Sequence, residues 1–358
     1  MNLIFDNIIF SLQPFGGISV VWSELLQRAL VDKDLSVKML DYAAANDCRK
    51  PIKPSAEQCL QLPTRMLERY RNPRYVATNE AVFHSSYFRV IDQPCVKNVT
   101  TVHDLTYHYY RSGLAKRVHL WQEAWALKQS AHIICVSQNT KEDLLSHYST
   151  LNEANVHVVY NGVNEAYQCL SCANITPFET RGYLLYVGNR SASYKNFGVA
   201  VEVASRVQLP LVIVGGTLSP KETYLLNTRL GNAYYWVKSH PTQDELVSIY
   251  NHAYCLLYPS AYEGFGLPIV EAQRTGCLVI GQAISSVPEV IGEGGICVAP
   301  EQDLQKLSSS IAQEIRSLLN GRTNAKDLIE KGKINSERFS WDKTYSQTKQ
   351  VYQLLYNQ

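Results

Sequence analysis

Short, apolar, β-rich runs alternate with longer amphipathic segments along this chain, and the alternation occurs twice. The first round begins with a predicted strand over 3–10 and a helix over 18–30. After a turn-rich stretch at 161–177, the pattern restarts with a strand over 183–187 and a helix over 196–206. This βαβ order is typical of parallel sheets that helices cover on both faces. The sequence therefore predicts an α/β protein with two Rossmann-like units.

The length agrees with this division, because 358 residues are enough for two domains of ordinary size. The predicted Rossmann-like domains span residues 1–168 and 169–338. The remaining segment, 339–358, is predicted to form a helix whose apolar stripe, which includes Trp341 and Leu355, needs a surface to pack on. Open parallel sheets bind ligands beyond the carboxyl ends of their strands. Functional residues are therefore expected in the loops that follow the strands.

Composition excludes several classes of protein. The 34 Lys and Arg nearly balance the 32 Asp and Glu, giving a net charge of +2, so no nucleic-acid partner is expected. Residues 1–6 lack the basic region of a signal peptide, and charges interrupt every long apolar stretch. The nine cysteines are scattered, and the single Cys-x2-Cys, at Cys169 and Cys172, is interpreted as part of a loop. Reduced thiols and a cytoplasmic location are the expectation.

Two strand-exit loops carry glycines or cations. Gly16 and Gly17 follow the first predicted strand and lead into a helix, where they could form an anion-binding loop or only a tight turn. In the second half, Arg190 and Lys195 lie five residues apart on a loop that contains Gly188. Two cations there could hold a diphosphate and stabilise charge on a leaving group, although cations on an exposed loop are more often only solvated.

The segment 258–272 is the most informative part of the chain. A predicted strand ends at Tyr258, and Pro268 is suited to the first turn of the helix that follows. Glu263 could accept hydrogen bonds from sugar hydroxyls, while Glu271, one turn into the helix, could bind a ribose diol. Backbone amides at Gly266 and Leu267 would face a phosphate, although a glutamate early in a helix can also be favoured by the helix dipole alone.

These motifs together resemble one family. The segment Glu263-Gly264-Phe265-Gly266-Leu267-Pro268 with Glu271 is similar to the Glu-x7-Glu signature of retaining glycosyltransferases of family 4, which have the two-domain glycosyltransferase B (GT-B) fold. Further matches occur in the family's order over most of the chain. They are Gly16-Gly17, Thr101-Val102-His103-Asp104, Val136-Ser137, Tyr160-Asn161-Gly162-Val163, Arg190 with Lys195-Asn196, and Val214-Gly215-Gly216.

The resemblance implies a role for each candidate residue. The implied catalytic residues are His103, Glu263, Arg190 and Lys195, and the implied donor-binding residues are Gly16, Gly17, Asn189, Gly266, Leu267 and Glu271. Arg190 and Lys195 would hold the donor diphosphate, and which of them contacts which phosphate is left open. The resemblance also implies that the N-terminal domain binds the acceptor, that the C-terminal domain binds the nucleotide-sugar donor, and that the last helix packs back on the N-terminal domain.

The resemblance further implies metal-independent transfer with retention, because cationic side chains and helix dipoles would replace the divalent ion. No metal and no cofactor are therefore expected, and the nucleotide sugar is a co-substrate. Asp32-Lys33-Asp34 fits a DxD motif literally, but its place between a helix and a strand favours a solvated turn. His119 and Glu123 have helical spacing for two metal ligands, yet two ligands are too few, and a surface pair is the interpretation.

The sequence indicates the substrates less clearly than it indicates the fold. The Gly16-Gly17-Ile18-Ser19 start and the loop 190–196 most resemble those of bacterial mannosyl-type enzymes of O-antigen or capsule synthesis. GDP-mannose is therefore the first candidate donor, ahead of UDP-sugars, GDP-fucose and dTDP-rhamnose. A hexosyl or deoxyhexosyl group would pass to a glycan or lipid-linked saccharide. The basic, partly apolar stretch 64–75 could touch the inner face of the cytoplasmic membrane or be a solvated helix. A sugar-nucleotide epimerase of the same architecture and a catalytically idle binding partner are the alternatives.

Overall fold

The computed structural model describes residues 1–43 and 45–356. It divides the chain into two compact units: unit 1 comprises Met1–Gly162 with Ser340–Gln358, and unit 2 comprises Val163–Phe339. Each unit is built on one parallel sheet with helices around it. The predicted α/β class with two Rossmann-like units is confirmed.

The transitions between the units lie after Gly162 and after Phe339, whereas the sequence placed them after residues 168 and 338. Aromatic packing explains both differences. The ring of Tyr167 lies 6.0 Å from a tyrosine ring of unit 2, and the ring of Phe339 lies 5.4 Å from a phenylalanine ring of the same unit. Both residues therefore belong to the core of unit 2.

Within the described part of unit 1, a seven-stranded sheet has the order β3-β2-β1-β4-β5-β6-β7, and all its pairs are parallel. The first strand ends at Asp6 rather than continuing to residue 10 as predicted, because the backbone turns at Asn7 and a short helix follows. The strands are β1 (Asn2–Asp6), β2 (Ser36–Asp41), β3 (Cys59–Gln61), β4 (Ala81–Ser85), β5 (Val96–Val102), β6 (Ser130–Cys135) and β7 (Val156–Val158).

The helices of unit 1 cover this sheet, and helix numbers run in chain order over both units. They are α1 (Ile9–Leu12), α2 (Gly17–Val31), α3 (Thr106–Tyr110), α4 (Gly113–Gln129), α5 (Gln138–His147) and α13 (Trp341–Tyr356). Helices α2 and α13 share one apolar core with strands β1 and β4, in which Trp22, Phe5 and Tyr352 are buried. The final helix thus packs on the N-terminal unit.

The Asp32-Lys33-Asp34 segment is a turn with Lys33 and Asp34 exposed, as the sequence suggested, but its two aspartates also pair with the final helix. Lys349 Nζ of α13 lies 2.7 Å from an oxygen of Asp32 and 2.7 Å from one of Asp34, and the Tyr345 hydroxyl donates to Asp32 at 2.6 Å. Asp32 is largely covered by these contacts. Lys349 and Tyr345 lie more than 300 residues further along the chain, so local spacing could not indicate that the aspartates of the DxD sequence contact the final helix.

A buried hydrogen bond also joins α13 to the sheet. The Tyr352 hydroxyl lies 2.6 Å from Nδ1 of His84 on β4, and Nε2 of His84 lies 2.8 Å from the Thr101 hydroxyl on β5. Burial lowers the pKa of His84 to about 3, so the ring is neutral near pH 7. A neutral imidazole has one donor and one acceptor nitrogen, which these two hydroxyls can satisfy.

We expect Tyr352→Phe to lower the free energy of unfolding by about 1–2 kcal/mol, because a buried ring nitrogen of His84 loses its partner. Urea unfolding followed by circular dichroism measures this difference. Tyr356→Phe is the matched control, since Tyr356 is exposed on the same helix and its hydroxyl should contribute little. Equal midpoints for the two variants would contradict the assignment.

Within the described part of unit 2, a six-stranded sheet has the order β10-β9-β8-β11-β12-β13, again with parallel pairs. Its core contains the helix α6 and the strands β8, β9 and β11. The strands are β8 (Leu184–Val187), β9 (Leu211–Val214), β10 (Tyr235–Lys238), β11 (Cys255–Tyr258), β12 (Leu278–Gln282) and β13 (Ile296–Val298).

The helices of unit 2 are α6 (Phe197–Val207), α7 (Pro220–Arg229), α8 (Gln243–His252), α9 (Leu267–Arg274), α10 (Val287–Ile291), α11 (Leu304–Leu319) and α12 (Ala325–Ser336). Helices α7 and α8 each begin with a capping box, in which the serine or threonine cap and a glutamate three residues later satisfy each other's backbone amides. The α9 helix begins with Pro268 in its first turn, as the sequence predicted.

Candidate functional site

The strand order of unit 2 brings two predicted loops together. The chain order reverses between β8 and β11, which are neighbours in the sheet, with Leu185 opposite Leu256. The loops that follow these strands, 188–196 and 259–266, therefore leave the sheet side by side. Such a reversal opens a crevice at the carboxyl ends of the strands, which is the general ligand-binding position of open α/β sheets.

Lys195 and Glu263 meet at this position. Lys195 Nζ lies 2.5 Å and 2.7 Å from the two oxygens of Glu263, and the side chains are 20% and 9% exposed. The ring of Tyr258 lies beneath the ammonium at 5.8 Å, and its hydroxyl is hydrogen-bonded to Glu263. A paired cation and carboxylate thus lie at the carboxyl edge of the sheet, with the lysine the more exposed of the two.

The backbone around Glu263 is fixed by two serines. The Glu263 amide donates to the Ser285 hydroxyl at 2.9 Å, and the Ser286 hydroxyl donates to the carbonyls of Glu263 and Phe265. Gly266 has φ of 106°, and a Cβ there would lie 2.9 Å from a carbon of Ile269. The sharp turn into α9 therefore requires glycine, and it leaves the first amides of α9 without a side-chain cap.

Glu271 lies one turn into α9 among tyrosines. The Tyr250 hydroxyl donates to its carboxylate at 2.9 Å, and Tyr167 supplies a second hydroxyl. Burial raises the pKa of Glu271 to about 7, while these two hydrogen bonds act in the opposite direction. A carboxylate with this pKa is a costly group to keep in a fold, which is typical of residues retained for binding or catalysis.

Arg190 is placed differently from Lys195. Its Nε donates to Glu222 at 2.9 Å, and its Nη2 donates to the carbonyls of Gly216 and Thr217. The side chain is 4% exposed, and a Cβ on Gly215 would lie 2.8 Å from its Nη1. The guanidinium thus fastens the loop after β8 to the loop after β9. Among the described residues, its buried Nη1 has no hydrogen-bond partner.

We expect Arg190→Ala to lower the free energy of unfolding by about 2–4 kcal/mol, because Glu222 and two carbonyls lose their donor. Differential scanning calorimetry measures the effect. Arg229→Ala, at a half-exposed arginine of the same unit, is the control and should change stability by less than about 1 kcal/mol. A stability like that of wild type would show that Arg190 does not brace these loops.

Asn189 precedes this arginine on the exposed side of the loop. Its side-chain oxygen accepts hydrogen bonds from the amide and hydroxyl of Ser191, at 3.0 Å and 2.8 Å. The contact stabilises a turn before the Lys195 segment. The predicted donor-binding role of Asn189 stays a prediction.

The predicted residues of unit 1 lie at the carboxyl ends of their own sheet. His103 directly follows β5. Burial lowers the pKa of His103 to about 4, so the ring is neutral near pH 7. Gly16 and Gly17 form the start of α2, which has no side-chain cap. These three residues could donate or accept hydrogen bonds, and their predicted roles rest on the resemblance.

The His119 and Glu123 pair is buried, not the surface pair that the sequence suggested. The Glu123 carboxylate bridges His108 Nε2 at 2.7 Å and His119 Nε2 at 3.3 Å, and it also accepts from the Tyr148 hydroxyl at 2.8 Å. Tyr107 stacks on His119. Helical spacing indicated the pair, but only tertiary packing brings in His108 and Tyr148. In the part of the chain that the structure describes, no three His, Cys, Asp or Glu residues are arranged to hold a metal ion.

Several contributors to the unit 2 site had no sequence signal. Tyr250 and Tyr167 enclose Glu271 from α8 and from the segment before β8, and Glu222 reaches Arg190 from α7. Each of these residues is separated from its partner by a different number of positions, so no motif spacing could have indicated the contacts. Tyr258 could have been found, because it ends a predicted strand next to Glu263.

Solved structures with the same fold were found by comparison. Sucrose-phosphate synthase from Thermosynechococcus elongatus is 19% identical, with a TM-score of 0.77, and the match covers 100% of this chain and 99% of that one. The Anabaena HepE protein in complex with UDP and glucose is 16% identical, with a TM-score of 0.70, covering 98% and 99%. The two Rossmann-like units therefore define a protein of the GT-B fold class.

Family models match the two units separately. The glycosyltransferase family 4 model matches residues 44–167, and the glycosyl transferases group 1 model matches residues 173–335. Together these matches span most of the chain, one in each unit. The chain belongs to the family 4, group 1 glycosyltransferases.

Curated relatives match over part of their length. O-antigen chain mannosyltransferase B of Escherichia coli is 27% identical over 52% of this chain and 50% of its own length. O-antigen chain mannosyltransferase RfbU of Salmonella typhimurium is 26% identical over 68% of this chain and 65% of its own length. The chain thus aligns with about half to two thirds of these relatives. No helix among the described residues is both long and apolar enough to span a membrane.

Proposed function

We propose that this protein is a metal-independent, retaining glycosyltransferase that moves a hexosyl or deoxyhexosyl group from a nucleotide-diphosphate sugar to a glycan or lipid-linked saccharide. The observation that carries the proposal is the Lys195–Glu263 pair at the strand-order reversal of unit 2, next to α9 and Glu271. Family membership supports the reaction class, and the two mannosyltransferase relatives support a role in surface-polysaccharide synthesis.

Each group in unit 2 has a suitable chemistry for this reaction. Lys195 supplies a positive charge that would stabilise the departing diphosphate, and the uncapped amides at Leu267 add the dipole of α9. Glu263 would accept hydrogen bonds from the transferred sugar, and Glu271 would accept them from the ribose hydroxyls. Both carboxylates would thus be engaged in binding. The diphosphate is itself the leaving group, so the pair of catalytic carboxylic acids that glycosidases use is not required.

Arg190 is proposed to act through the loops that it joins. Its guanidinium already contacts Glu222 and two carbonyls, so its main contribution would be to hold the Lys195 loop in place. Direct contact of Arg190 with the donor diphosphate, as the resemblance implies, would require its buried Nη1, which has no hydrogen-bond partner among the described residues, to become exposed. His103 is proposed to contact the transferred sugar as a neutral hydrogen-bonding group.

The donor is proposed to be GDP-mannose. Two relatives are named mannosyltransferases, which favours this sugar, whereas the Anabaena protein of the same fold was solved with UDP. The acceptor is proposed to be a saccharide of an O-antigen or capsule pathway, carried by a lipid at the inner face of the cytoplasmic membrane. All nine cysteines are free in the structure, which supports a reducing compartment.

A thermal-shift panel of GDP, UDP and dTDP tests the donor, because a ligand that binds only the folded state raises the melting temperature. A shift with GDP alone supports GDP-mannose, and a shift with UDP alone contradicts it. The reaction is then followed with labelled GDP-mannose and a lipid-linked acceptor, without divalent ions and with a chelator. Failure of transfer with every donor that binds would contradict the proposed activity, and acceptor-free interconversion of two donors would indicate an epimerase.

A further inference from the structure

One face of α4 exposes large apolar side chains to solvent. Leu114 is 76% exposed, Trp121 is 66% exposed and Trp125 is 39% exposed. Seven and four residues separate them, so they lie within about 40° of one another around the helix axis, along about 17 Å of its length. Tryptophan costs more to expose than almost any other side chain, because its apolar area is large. Such a row is unusual on a surface that has no partner.

The opposite face of α4 already supplies the packing that the fold needs. His119, Glu123 and Leu127 are buried on that side against the rest of unit 1. The exposed row is therefore not needed to hold the helix in place.

The same face is positively charged. Arg117 and Lys128 are exposed on it, and Arg111 is exposed just before the helix. Glu123 is the single acidic residue between positions 111 and 129, and its carboxylate is buried against two histidines. The surface thus combines apolar anchors with cations and shows no exposed negative charge of its own.

The stretch 64–75, which the sequence suggested as a membrane contact, is partly occupied by internal pairing. Arg65 lies 2.6 Å from Glu68, and Arg69 donates to the Tyr87 hydroxyl and stacks on its ring. Two of its four arginines are therefore held in the fold. The remaining two, Arg71 and Arg74, are exposed.

This stretch also contacts α4. Gln122 Nε2 of α4 donates to the Arg69 carbonyl at 2.6 Å, and Met66 and Leu67 are exposed a few residues earlier in the stretch. The two segments thus place apolar and basic side chains on neighbouring parts of unit 1. We define the docking face as the exposed side of α4, with Leu114, Arg117, Trp121, Trp125 and Lys128.

We propose that the docking face binds an anionic lipid surface, with α4 lying in the plane of the headgroups. Tryptophan prefers the boundary between hydrocarbon and water, and a helix with one apolar face bordered by cations binds there. Arg117 precedes the two tryptophans along α4 and Lys128 follows them, and both cations would contact anionic headgroups. The inference rests on the proposed function in one respect, since a lipid-linked acceptor would lie in the same bilayer.

The test is flotation of the full chain with vesicles of phosphatidylcholine containing about 30% phosphatidylglycerol, at low salt, against vesicles of phosphatidylcholine alone. Wild type should float with the anionic vesicles. Trp121→Ser with Trp125→Ser should lower the partition coefficient at least about tenfold. Arg117→Gln with Lys128→Gln should lower it about 25-fold, because each cation near an anionic surface contributes about fivefold.

Matched controls come from exposed positions of unit 2. Tyr224→Ser removes an aromatic ring that is more exposed than either tryptophan, and Lys221→Gln with Lys306→Gln removes two exposed cations. Both should bind vesicles like wild type. Thermal melting of every variant verifies folding, and the charge variant keeps the test decisive if the tryptophan variant is unstable, because its two residues are exposed.

The proposal would be overturned by no binding of wild type to anionic vesicles at low salt, or by equal binding of the α4 variants and wild type. Concentration-dependent dimerisation that the tryptophan variant abolishes, without vesicle binding, would assign the docking face to a second copy of the chain and also overturn it. The nucleotide thermal shift separates the two proposals. A nucleotide shift in wild type that shows no vesicle binding contradicts docking alone, and vesicle binding by wild type without any nucleotide shift contradicts the proposed donor binding alone.

Discussion

Lys195→Ala should lower the rate of sugar transfer by about 10²–10³-fold, because it removes the positive charge that is proposed to stabilise the departing diphosphate. This charge lies beside Glu263 at the strand-order reversal of unit 2. The substitution should also lower the free energy of unfolding by about 1–3 kcal/mol, since the Glu263 side chain is 9% exposed and loses its counterion. Initial rates with labelled donor and chemical denaturation measure the two effects. Lys221→Ala, at an exposed lysine on α7, is the control and should change neither.

A double-mutant cycle shows whether Lys195 and Glu263 act as a unit. If they do, the variant with both Lys195→Ala and Glu263→Ala should be no slower than the slower single variant, and its stability should exceed the additive expectation. Additive losses of rate would indicate two independent roles. Transfer at the wild-type rate by folded Lys195→Ala would contradict the proposed site.

The sequence predicted the βαβ order and the loops of unit 2 well, because burial on both faces of a parallel sheet leaves a strong apolar pattern. It also identified the Glu263 segment, where glycines and a proline mark the turn into α9. The first strand was predicted too long. Residues 8–10 are again apolar, but they are buried in a turn and a short helix, and periodicity cannot distinguish these from a continuing strand.

The sequence could not separate the two cations of the loop after β8. Arg190 and Lys195 are equivalent in spacing and charge, and only the fold shows that one is fastened inward while the other faces Glu263. The difference arises from Glu222, which the capping box of α7 holds in reach of Arg190 from 32 residues away. Long-range pairing of this kind leaves no local pattern, as the contact between Lys349 and Asp32 also illustrates.

Glu271→Gln should stabilise the protein without ligand at alkaline pH. The pKa of Glu271 is raised from its ordinary value of 4.5 to about 7, so between these values the folded state binds more protons than the unfolded state. Stability should therefore fall as pH rises from about 4.5 to about 7, by about 3 kcal/mol in total. Glutamine does not titrate. We expect the variant to melt about 5 °C above wild type at pH 8 and close to wild type near pH 4.5.

The same substitution should also weaken donor binding. The effect of Glu271 on protein stability can therefore be measured separately from its effect on donor binding. A carboxylate accepts charge-assisted hydrogen bonds that an amide cannot match, so the donor dissociation constant should rise about tenfold. Glu245→Gln is the control, because Lys238 lowers the pKa of Glu245 and removal of its charge cannot stabilise the fold. If Glu271→Gln and wild type showed the same dependence of melting temperature on pH, ionisation of the buried Glu271 carboxylate would not lower the stability of the protein. If the donor bound both equally, the carboxylate would be dispensable for binding, and the reason for keeping a destabilising charge between Tyr250 and Tyr167 would have to lie outside the donor.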